Sequence, residues 1–166
     1  MAAAKKKDGA ESLEPVIENR RARHDYAIEE TLECGIELLG TEVKSVRHGH
    51  ASLAEGWVLA EDEPPKLSLQ NVHIAEYPPA GAHRQHEPNR PRRLLAHKRE
   101  IRRLAVEVRA RGASLVPLKM YFLRGKVKLL VGLAIGRKKV DKRQAIAAKE
   151  AKRDIERETS RRRFDR

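Results

Sequence analysis

The sequence predicts a mainly β, α+β fold: a small antiparallel β-barrel with two packed helices and a basic C-terminal tail. Apolar residues alternate at the two-residue period of half-buried strands. Glycines interrupt these runs where a long strand can bend, and positive charge concentrates near the C-terminus. Since 166 residues suffice for one ordinary domain and a tail, we expect a disordered arm over 1–15, a barrel over 16–136 and a tail over 137–166.

Composition narrows the class of protein. A formal charge of +12 and a pI of about 10.1 favour a polyanionic partner, nucleic acid first and an acidic membrane second. Cys34 is the only cysteine, which excludes an intrachain disulfide and a cysteine-based zinc site and fits a reducing compartment. The sequence shows neither an apolar run of membrane length nor a signal peptide, so we expect a cytoplasmic protein with no membrane association.

Residues 19–49 predict a bent strand. A cationic cluster of three arginines and His24 opens the stretch, and apolar residues then alternate, with one irregularity, from Tyr26 to Leu38. Gly35 interrupts this run, which is typical of a bulge or a sharp bend. Such a bend would let one long strand serve two parts of a curled sheet.

A short basic helix should follow Gly40. Thr41 can cap it, Val43 and Val46 fall on one side while its basic residues point elsewhere, and Gly49 is well placed to stop it. A bent strand followed by a short basic helix thus begins the barrel.

The middle of the chain predicts a hairpin and a long loop. Residues 57–59 and 66–77 form strand patterns joined by an acidic turn over 61–65, with a phase slip around Gln70 that suggests a bulge. Residues 78–91 are rich in Pro and His and too polar to bury, so we expect an exposed loop. Loops of this length are usually functional or mobile.

A helix and two strands complete the predicted barrel. Apolar residues spaced three and four apart, with arginines on the other side, predict a helix over 97–111 that Gly112 stops. Strands are predicted over 114–123 and 126–135, turned at Arg124 and Gly125. About five strands, long and bent at glycines, favour a partly open barrel of the oligonucleotide-binding type, an OB-like barrel.

The tail differs from the rest of the chain. Residues 136–166 contain thirteen Lys and Arg against six Asp and Glu, a net charge of +7. Asp141 and Gln144 resemble a capping box, and the alanines that follow favour helix. The apolar stripe is too thin to dock on a core, so we predict a tail that is disordered when free and helical on an anionic surface.

Catalytic and metal sites are weakly supported. Glu29, Glu30 and Glu33 could hold the Mg²⁺ of a nuclease, but Glu29 and Glu30 should point to opposite faces of a strand. The histidine pairs 48/50 and 83/86 lack further ligands for a closed metal site, and surface or RNA-facing roles suit them better. No phosphate loop or nucleophile elbow is visible. We predict that the protein is not an enzyme and binds neither a cofactor nor a metal. The alternative is a Mg²⁺-dependent ribonuclease.

The scarcity of aromatic residues, 4% of the chain, disfavours a sheet that stacks several bases. Recognition of a folded RNA through phosphates and shape fits better. A generic ribosomal or translation-factor RNA binder with a basic tail stays open as an alternative.

Four segments match a known protein family in its own order: NRRARHDYAIEETLECGIELLGTEVKSVRHG at 19–49, HEPNRPRRLLAHKREI at 86–101, LVPLKMYF at 115–122 and GRKKVDKR at 136–143. These extended blocks cover most of the chain beyond the arm. The sequence resembles the SsrA-binding protein family, also called small protein B, the bacterial partner of transfer-messenger RNA (tmRNA) in the rescue of stalled ribosomes.

The resemblance implies an RNA-binding adaptor for trans-translation. Its barrel would grip the tRNA-like domain of tmRNA near the elbow, in the space of the missing anticodon stem. The alanine-charged complex would enter the A site of a stalled 70S ribosome with elongation factor Tu in the delivery complex, and the tail would become helical in the empty mRNA channel, beside small-subunit rRNA. We expect the protein itself to be a monomer.

The resemblance, together with the cations around its matched positions, gives a set of predicted RNA-binding residues. Glu33 is unusual for this role, but a carboxylate can accept from base amino groups or ribose hydroxyls, or orient an arginine. Leu95 is equally compatible with a core position, and Lys44 and Arg47 with solvated charge. The set is Asn19, Arg20, Arg23, His24, Glu33, Lys44, Arg47, Arg92, Arg93, Leu95 and Lys128.

In the tail, the resemblance implies a segment that acts at the ribosomal decoding centre. Val140 departs from the family, in which an aromatic residue or histidine often precedes Asp141 and can stack on a base. Valine has no ring to stack, although the neighbouring cations can still contact phosphates. The segment comprises Lys138, Lys139, Val140, Asp141, Lys142 and Arg143.

Overall fold

A ring of antiparallel strands organises residues 14–136, the part of the chain that this computed structural model describes. The predicted tail and most of the predicted arm lie outside these residues. Within residues 14–136 there are nine strands: Ile17–Glu18 (β1), Tyr26–Ile36 (β2), Ala51–Ser52 (β3), Trp57–Asp62 (β4), Pro65–Gln70 (β5), His73–Ile74 (β6), Arg92–Leu95 (β7), Ser114–Leu123 (β8) and Lys126–Gly136 (β9). The helices are Arg20–Asp25 (α1), Gly40–Arg47 (α2) and Lys98–Arg111 (α3).

The main sheet runs in the order β1-β8-β4-β5-β7-β2-β9, and β9 pairs again with β8, which closes a ring. One residue pair, Val58 with Leu115, joins β4 to β8, so closure is partial at this seam. Strands β3 and β6 form a separate two-stranded sheet. The predicted α+β fold with a partly open antiparallel barrel is confirmed. Of the described helices, none is long and apolar enough to cross a membrane.

Strand β2 serves two parts of the ring at Gly35, as predicted. Gly35 pairs with Lys128 on β9 and with Leu95 on β7, so one strand serves two parts of the ring. A β-bulge lies further back, between Ile28 and Glu30. The extra residue switches the faces of the strand. Ile28 therefore packs against a small apolar cluster outside the ring, whereas Cys34 and Ile36 face the main core.

The core fills the ring and is covered by α3. Leu67, Leu69, Met120 and Leu129 are fully buried there, together with Leu104 of α3. The predicted helix over 97–111 is confirmed, and Gly112 ends it in the left-handed conformation at φ 60°. The β8–β9 hairpin is confirmed as well.

Helix α1 was not predicted. The cationic stretch before β2 forms six residues of helix on the outer face of β8 and β9, where Ala22 packs against Val116, Leu118 and Ala134. With a single buried residue, this helix has no apolar periodicity for a sequence pattern to reveal. Asn19 caps it by accepting a hydrogen bond from the Ala22 N–H at 3.1 Å.

Two details of the predicted middle segment are wrong. The acidic turn is shorter than 61–65, because Glu61, Asp62 and Pro65 belong to the paired strands β4 and β5. The phase slip near Gln70 is not a bulge: β5 ends there, and the chain continues into β6, which pairs with β3 in the other sheet.

The predicted exposed loop over 78–91 is tied to the body at its C-terminal end. His86 is only 4% exposed; its Nδ1 lies 2.9 Å from Thr41 Oγ1 and its Nε2 donates to the Ile74 carbonyl at 3.0 Å. The expectation that this histidine lies on the surface is therefore wrong. Thr41 is also not the cap of α2, since Leu39 occupies that position and its N–H donates to Glu42 Oε2 at 2.7 Å.

Candidate nucleic-acid interface

Three neighbouring strands place a polar cluster on the outer face of the ring. Glu33 of β2 accepts a hydrogen bond from Tyr121 Oη of β8, and Lys128 Nζ of β9 lies 3.3 Å from its other oxygen. Lys128 is paired with Tyr121 across the β8–β9 ladder. The Glu33 side chain is 41% exposed and that of Lys128 is 28% exposed, so a large ligand can reach this Glu33–Tyr121–Lys128 cluster.

The protonation states in the cluster are set by mutual contact. The hydrogen bond from Tyr121, followed by that from Lys128, lowers the pKa of Glu33 below its usual 4.5. Burial, and then the Glu33 carboxylate, raise the pKa of Tyr121 to about 12. At neutral pH the cluster therefore holds a carboxylate on Glu33 and a neutral phenol on Tyr121. Each carboxylate oxygen keeps acceptor capacity for a base amino group or a ribose hydroxyl.

A groove of about 430 Å³ lies beside the cluster, where β2, β7 and the β8–β9 turn meet. Its lining includes Gly35, Leu38, Leu95, Lys126 and Lys128. Leu95 is 51% exposed, so it lies on the surface and not in the core. The groove thus combines exposed apolar area with two lysines.

The predicted residues around α1 divide into exposed and buried ones. Arg20 and Arg23 are exposed and have no ion-pair or side-chain hydrogen-bond partner within residues 14–136, and His24 lies 3.1 Å from Asp25. Asn19 is 8% exposed, and its Nδ2 donates to the carbonyls of Leu53 at 3.0 Å and Pro117 at 3.1 Å. Its polar groups hold α1 in place, so the structure does not support Asn19 as an RNA-facing residue.

Arg92 and Arg93 point to opposite faces of β7. Arg92 is 1% exposed and donates to Glu42 Oε1 at 2.8 Å, to the Val72 carbonyl at 2.5 Å and to the Pro88 carbonyl at 2.8 Å. The structure does not support its predicted RNA-binding role, because the guanidinium is buried and its donors are engaged within the protein. Arg93 is exposed. The sequence carried only a weak signal for this burial: Arg92 stands two residues before the core residue Leu94, but a four-residue strand shows too little alternation to fix its faces.

Glu42 is a buried carboxylate at the centre of a hydrogen-bond network, and this role was not predicted from the sequence. It is fully buried and receives hydrogen bonds from Arg90, Arg92 and the Leu39 N–H. Burial raises the pKa of this carboxyl, but the hydrogen bonds outweigh burial and the net pKa is lowered. Burial lowers the pKa of Arg92, and the contact with the Glu42 carboxylate offsets part of this lowering. This network joins α2 to β7 and to the end of the 78–91 loop.

The two predicted cations of α2 are exposed but engaged. Lys44 Nζ lies 5.2 Å above the ring of Tyr77. Arg47 Cζ lies 5.1 Å from the ring of Phe122, and its Nε donates to Glu14 at 3.2 Å. Lys44 and Arg47 are themselves exposed, so these weak contacts can be exchanged for contacts with phosphate oxygens.

The acids considered for a nuclease are each paired with a basic partner. Glu29 accepts from Arg111 at 2.8 Å, and Glu30 accepts from Arg103, both on α3. Within residues 14–136, no three His, Cys, Asp or Glu side chains come together as a metal site. The predicted decoding-centre residues 138–143 lie outside the described part of the chain.

Comparison with known proteins identifies the family. A family profile described as "SmpB protein" matches residues 16–161. This chain belongs to the SmpB family. It is 52% identical over 147 residues to the SsrA-binding protein of Acidothermus cellulolyticus, covering 89% of this chain and 91% of the relative. It is 48% identical over 163 residues to that of Thermobifida fusca, covering 98% and 100%.

The fold of this SmpB-family chain also matches a solved structure. A chain from the work described as "tmRNA-SmpB: a journey to the center of the bacterial ribosome" superposes with a TM-score of 0.63 at 48% identity, covering 80% of this chain and 94% of that one. The SmpB-family match spans the barrel surfaces described above and the segment 138–143.

Proposed function

We propose that this SmpB-family protein is an RNA-binding adaptor that binds the tRNA-like domain of tmRNA and delivers it to the A site of stalled ribosomes for trans-translation. The observation that carries the proposal is the exposed Glu33–Tyr121–Lys128 cluster beside the groove of Leu95, on a barrel whose relatives are SsrA-binding proteins. A fixed acceptor, a lysine and an apolar contact together suit nucleotides of a folded RNA.

Within this function the barrel and the tail have separate tasks. Arg20, Arg23 and Arg93 are exposed cations that can contact phosphates of the tRNA-like domain. The tail, with its net charge of +7, enters the empty mRNA channel and becomes helical there. Lys138, Lys139, Lys142 and Arg143 contact rRNA phosphates near the decoding centre, without a stacking contact from Val140.

Delivery involves elongation factor Tu as part of the tmRNA complex, and the protein acts in the cytoplasm as a monomer. It needs no cofactor and performs no chemistry itself.

A gel-shift competition tests the central claim. The full chain is titrated into the labelled tRNA-like domain of tmRNA, and bulk tRNA or an rRNA fragment of equal length competes. We expect the tRNA-like domain to be preferred by at least tenfold and Glu33→Ala to remove most of that preference. Equal affinity for all three RNAs would instead indicate a generic ribosomal RNA binder. Cleavage of RNA on addition of Mg²⁺ would indicate the nuclease alternative.

A further inference from the structure

A second groove lies on the outer side of the ring between α1 and β4. Its volume is about 350 Å³, and its lining includes Arg21, Asp25, Tyr26, Glu55 and Trp57. This size is within the range of small-molecule binding sites. None of the RNA-binding residues taken from the family resemblance lines it except the buried cap Asn19.

Trp57 is the most informative residue of this groove. It is the only tryptophan of the chain, yet it is 48% exposed on the outer face of β4. The lining includes a second aromatic residue, Tyr26. An aromatic ring that is open to solvent beside cationic side chains is the arrangement on which proteins stack single bases of RNA.

The charges around the groove suit a nucleotide with its phosphate. Arg21 reaches Glu55 at 3.6 Å, but the two side chains are 76% and 75% exposed, so this ion pair is weak and Arg21 can exchange it for a phosphate. Arg20 and Arg23 add positive charge from the same short helix. The carboxylates of Glu55 and Asp25 can accept hydrogen bonds from a base amino group or a ribose hydroxyl.

The groove is well separated from the Glu33–Tyr121–Lys128 cluster. Val116 of β8 is the lining residue nearest to the cluster along this strand, and Tyr121 lies five residues further on. At about 3.4 Å per residue, this corresponds to roughly 17 Å along the strand. One nucleotide cannot occupy both, so the groove would take a different nucleotide from the one at the cluster.

We infer that the α1–β4 groove binds an unpaired RNA nucleotide, with its base stacked on Trp57 and its phosphate contacting Arg21. This rests on the proposed function only in taking RNA as the ligand. The nucleotide comes either from tmRNA or from small-subunit rRNA, and the same chemistry recognises both.

The intrinsic fluorescence of Trp57 tests the inference without any substitution, because no other tryptophan contributes. The full chain is titrated with a short single-stranded RNA and with a blunt duplex of the same sequence. We expect the single strand, but not the duplex, to quench the emission of Trp57. The tRNA-like domain of tmRNA and isolated small-subunit rRNA form two further arms, and the arm that quenches identifies the source.

Variants provide a second readout. Trp57→Leu should weaken single-strand binding about fivefold or more, and Trp57→Phe should retain most of it, because the lost term is stacking. Arg21→Gln should lower the logarithmic salt slope by about 0.7. Leu59→Ala is the matched control: Leu59 is 37% exposed on the same face of β4, outside the groove.

Absence of quenching by every RNA overturns the inference, as does equal binding by Trp57→Leu and wild type. If the tRNA-like domain is then still preferred in the gel shift, only the inference that the groove binds a nucleotide is refuted, and the proposed function stands. Loss of that preference would refute the proposed function instead.

Discussion

At the scale of single residues, the contacts of Glu33 explain how an acid can belong to the proposed RNA-binding surface. One of its oxygens is held by Tyr121 and the other by Lys128. Tyr121 is the larger cause of the lowered pKa of Glu33. The carboxylate is therefore both charged and fixed in orientation at neutral pH, which lets it act as an acceptor for specific RNA groups rather than as a diffuse negative charge.

Replacing the phenol tests this account. In Tyr121→Phe we expect the pKa of Glu33 to rise toward 4.5, measured by NMR titration of the carboxyl carbon. A lowered folded-state pKa contributes stability above the unfolded-state value and loses it as pH falls through the folded-state value. The pH-dependent stability difference from wild type should therefore stay below about 1 kcal/mol at neutral pH for this exposed group and vanish in acid.

The control for this measurement is Tyr77→Phe, which lies away from Glu33 and should leave its pKa unchanged. Since Glu33 stays ionised at pH 7 in Tyr121→Phe, RNA affinity should fall much less in this variant than in Glu33→Gln. An unchanged pKa of Glu33 in Tyr121→Phe would contradict the assignment of the phenol as its main partner.

At the scale of elements, β7 buries Arg92 and exposes Arg93, and we propose that only Arg93 contacts RNA. Arg92→Met leaves the buried Glu42 with one arginine fewer, so we expect the free energy of unfolding to fall by about 3–5 kcal/mol. Arg93→Met should change it by less than about 0.5 kcal/mol and should lower the salt slope of RNA binding by up to about 0.9. Urea denaturation and salt-dependent gel shifts measure the two quantities, and an interchange of the two phenotypes would contradict the structure.

The same elements show which parts of the fold a sequence pattern can reveal. The double pairing of β2 at Gly35, helix α3 and the β8–β9 hairpin follow from local periodicity and from turn residues, and all three were predicted. The burial of His86 and of Arg92 was not, because both depend on partners distant in sequence: Thr41 and Glu42 on α2. In the candidate interface, Leu95 was open between core and surface, since a four-residue strand shows too little alternation to decide its faces.

At the scale of the whole molecule, positive charge is divided between a folded barrel and a tail with a net charge of +7 over residues 136–166. The partly closed ring carries the exposed groups of the candidate interface, and β9 ends at Gly136, where it pairs with Tyr26. Removing the residues beyond Gly136 therefore deletes none of the strands that the structure describes. This makes it possible to separate RNA binding from action on the ribosome.

A chain that ends at Gly136 should keep its preference for the tRNA-like domain of tmRNA, because the Glu33–Tyr121–Lys128 cluster and its groove are intact. Its salt slope should fall by about 0.7 to 0.9 for each phosphate contact that the tail makes to free RNA. Tagging of stalled peptides in a reconstituted translation system should be lost. In the full chain, Arg143→Ala should reduce tagging far more than it reduces tmRNA affinity, with Arg124→Ala, on the exposed β8–β9 turn, as the matched control. If the shortened chain lost tmRNA binding yet supported tagging, the barrel and the tail would have the opposite roles.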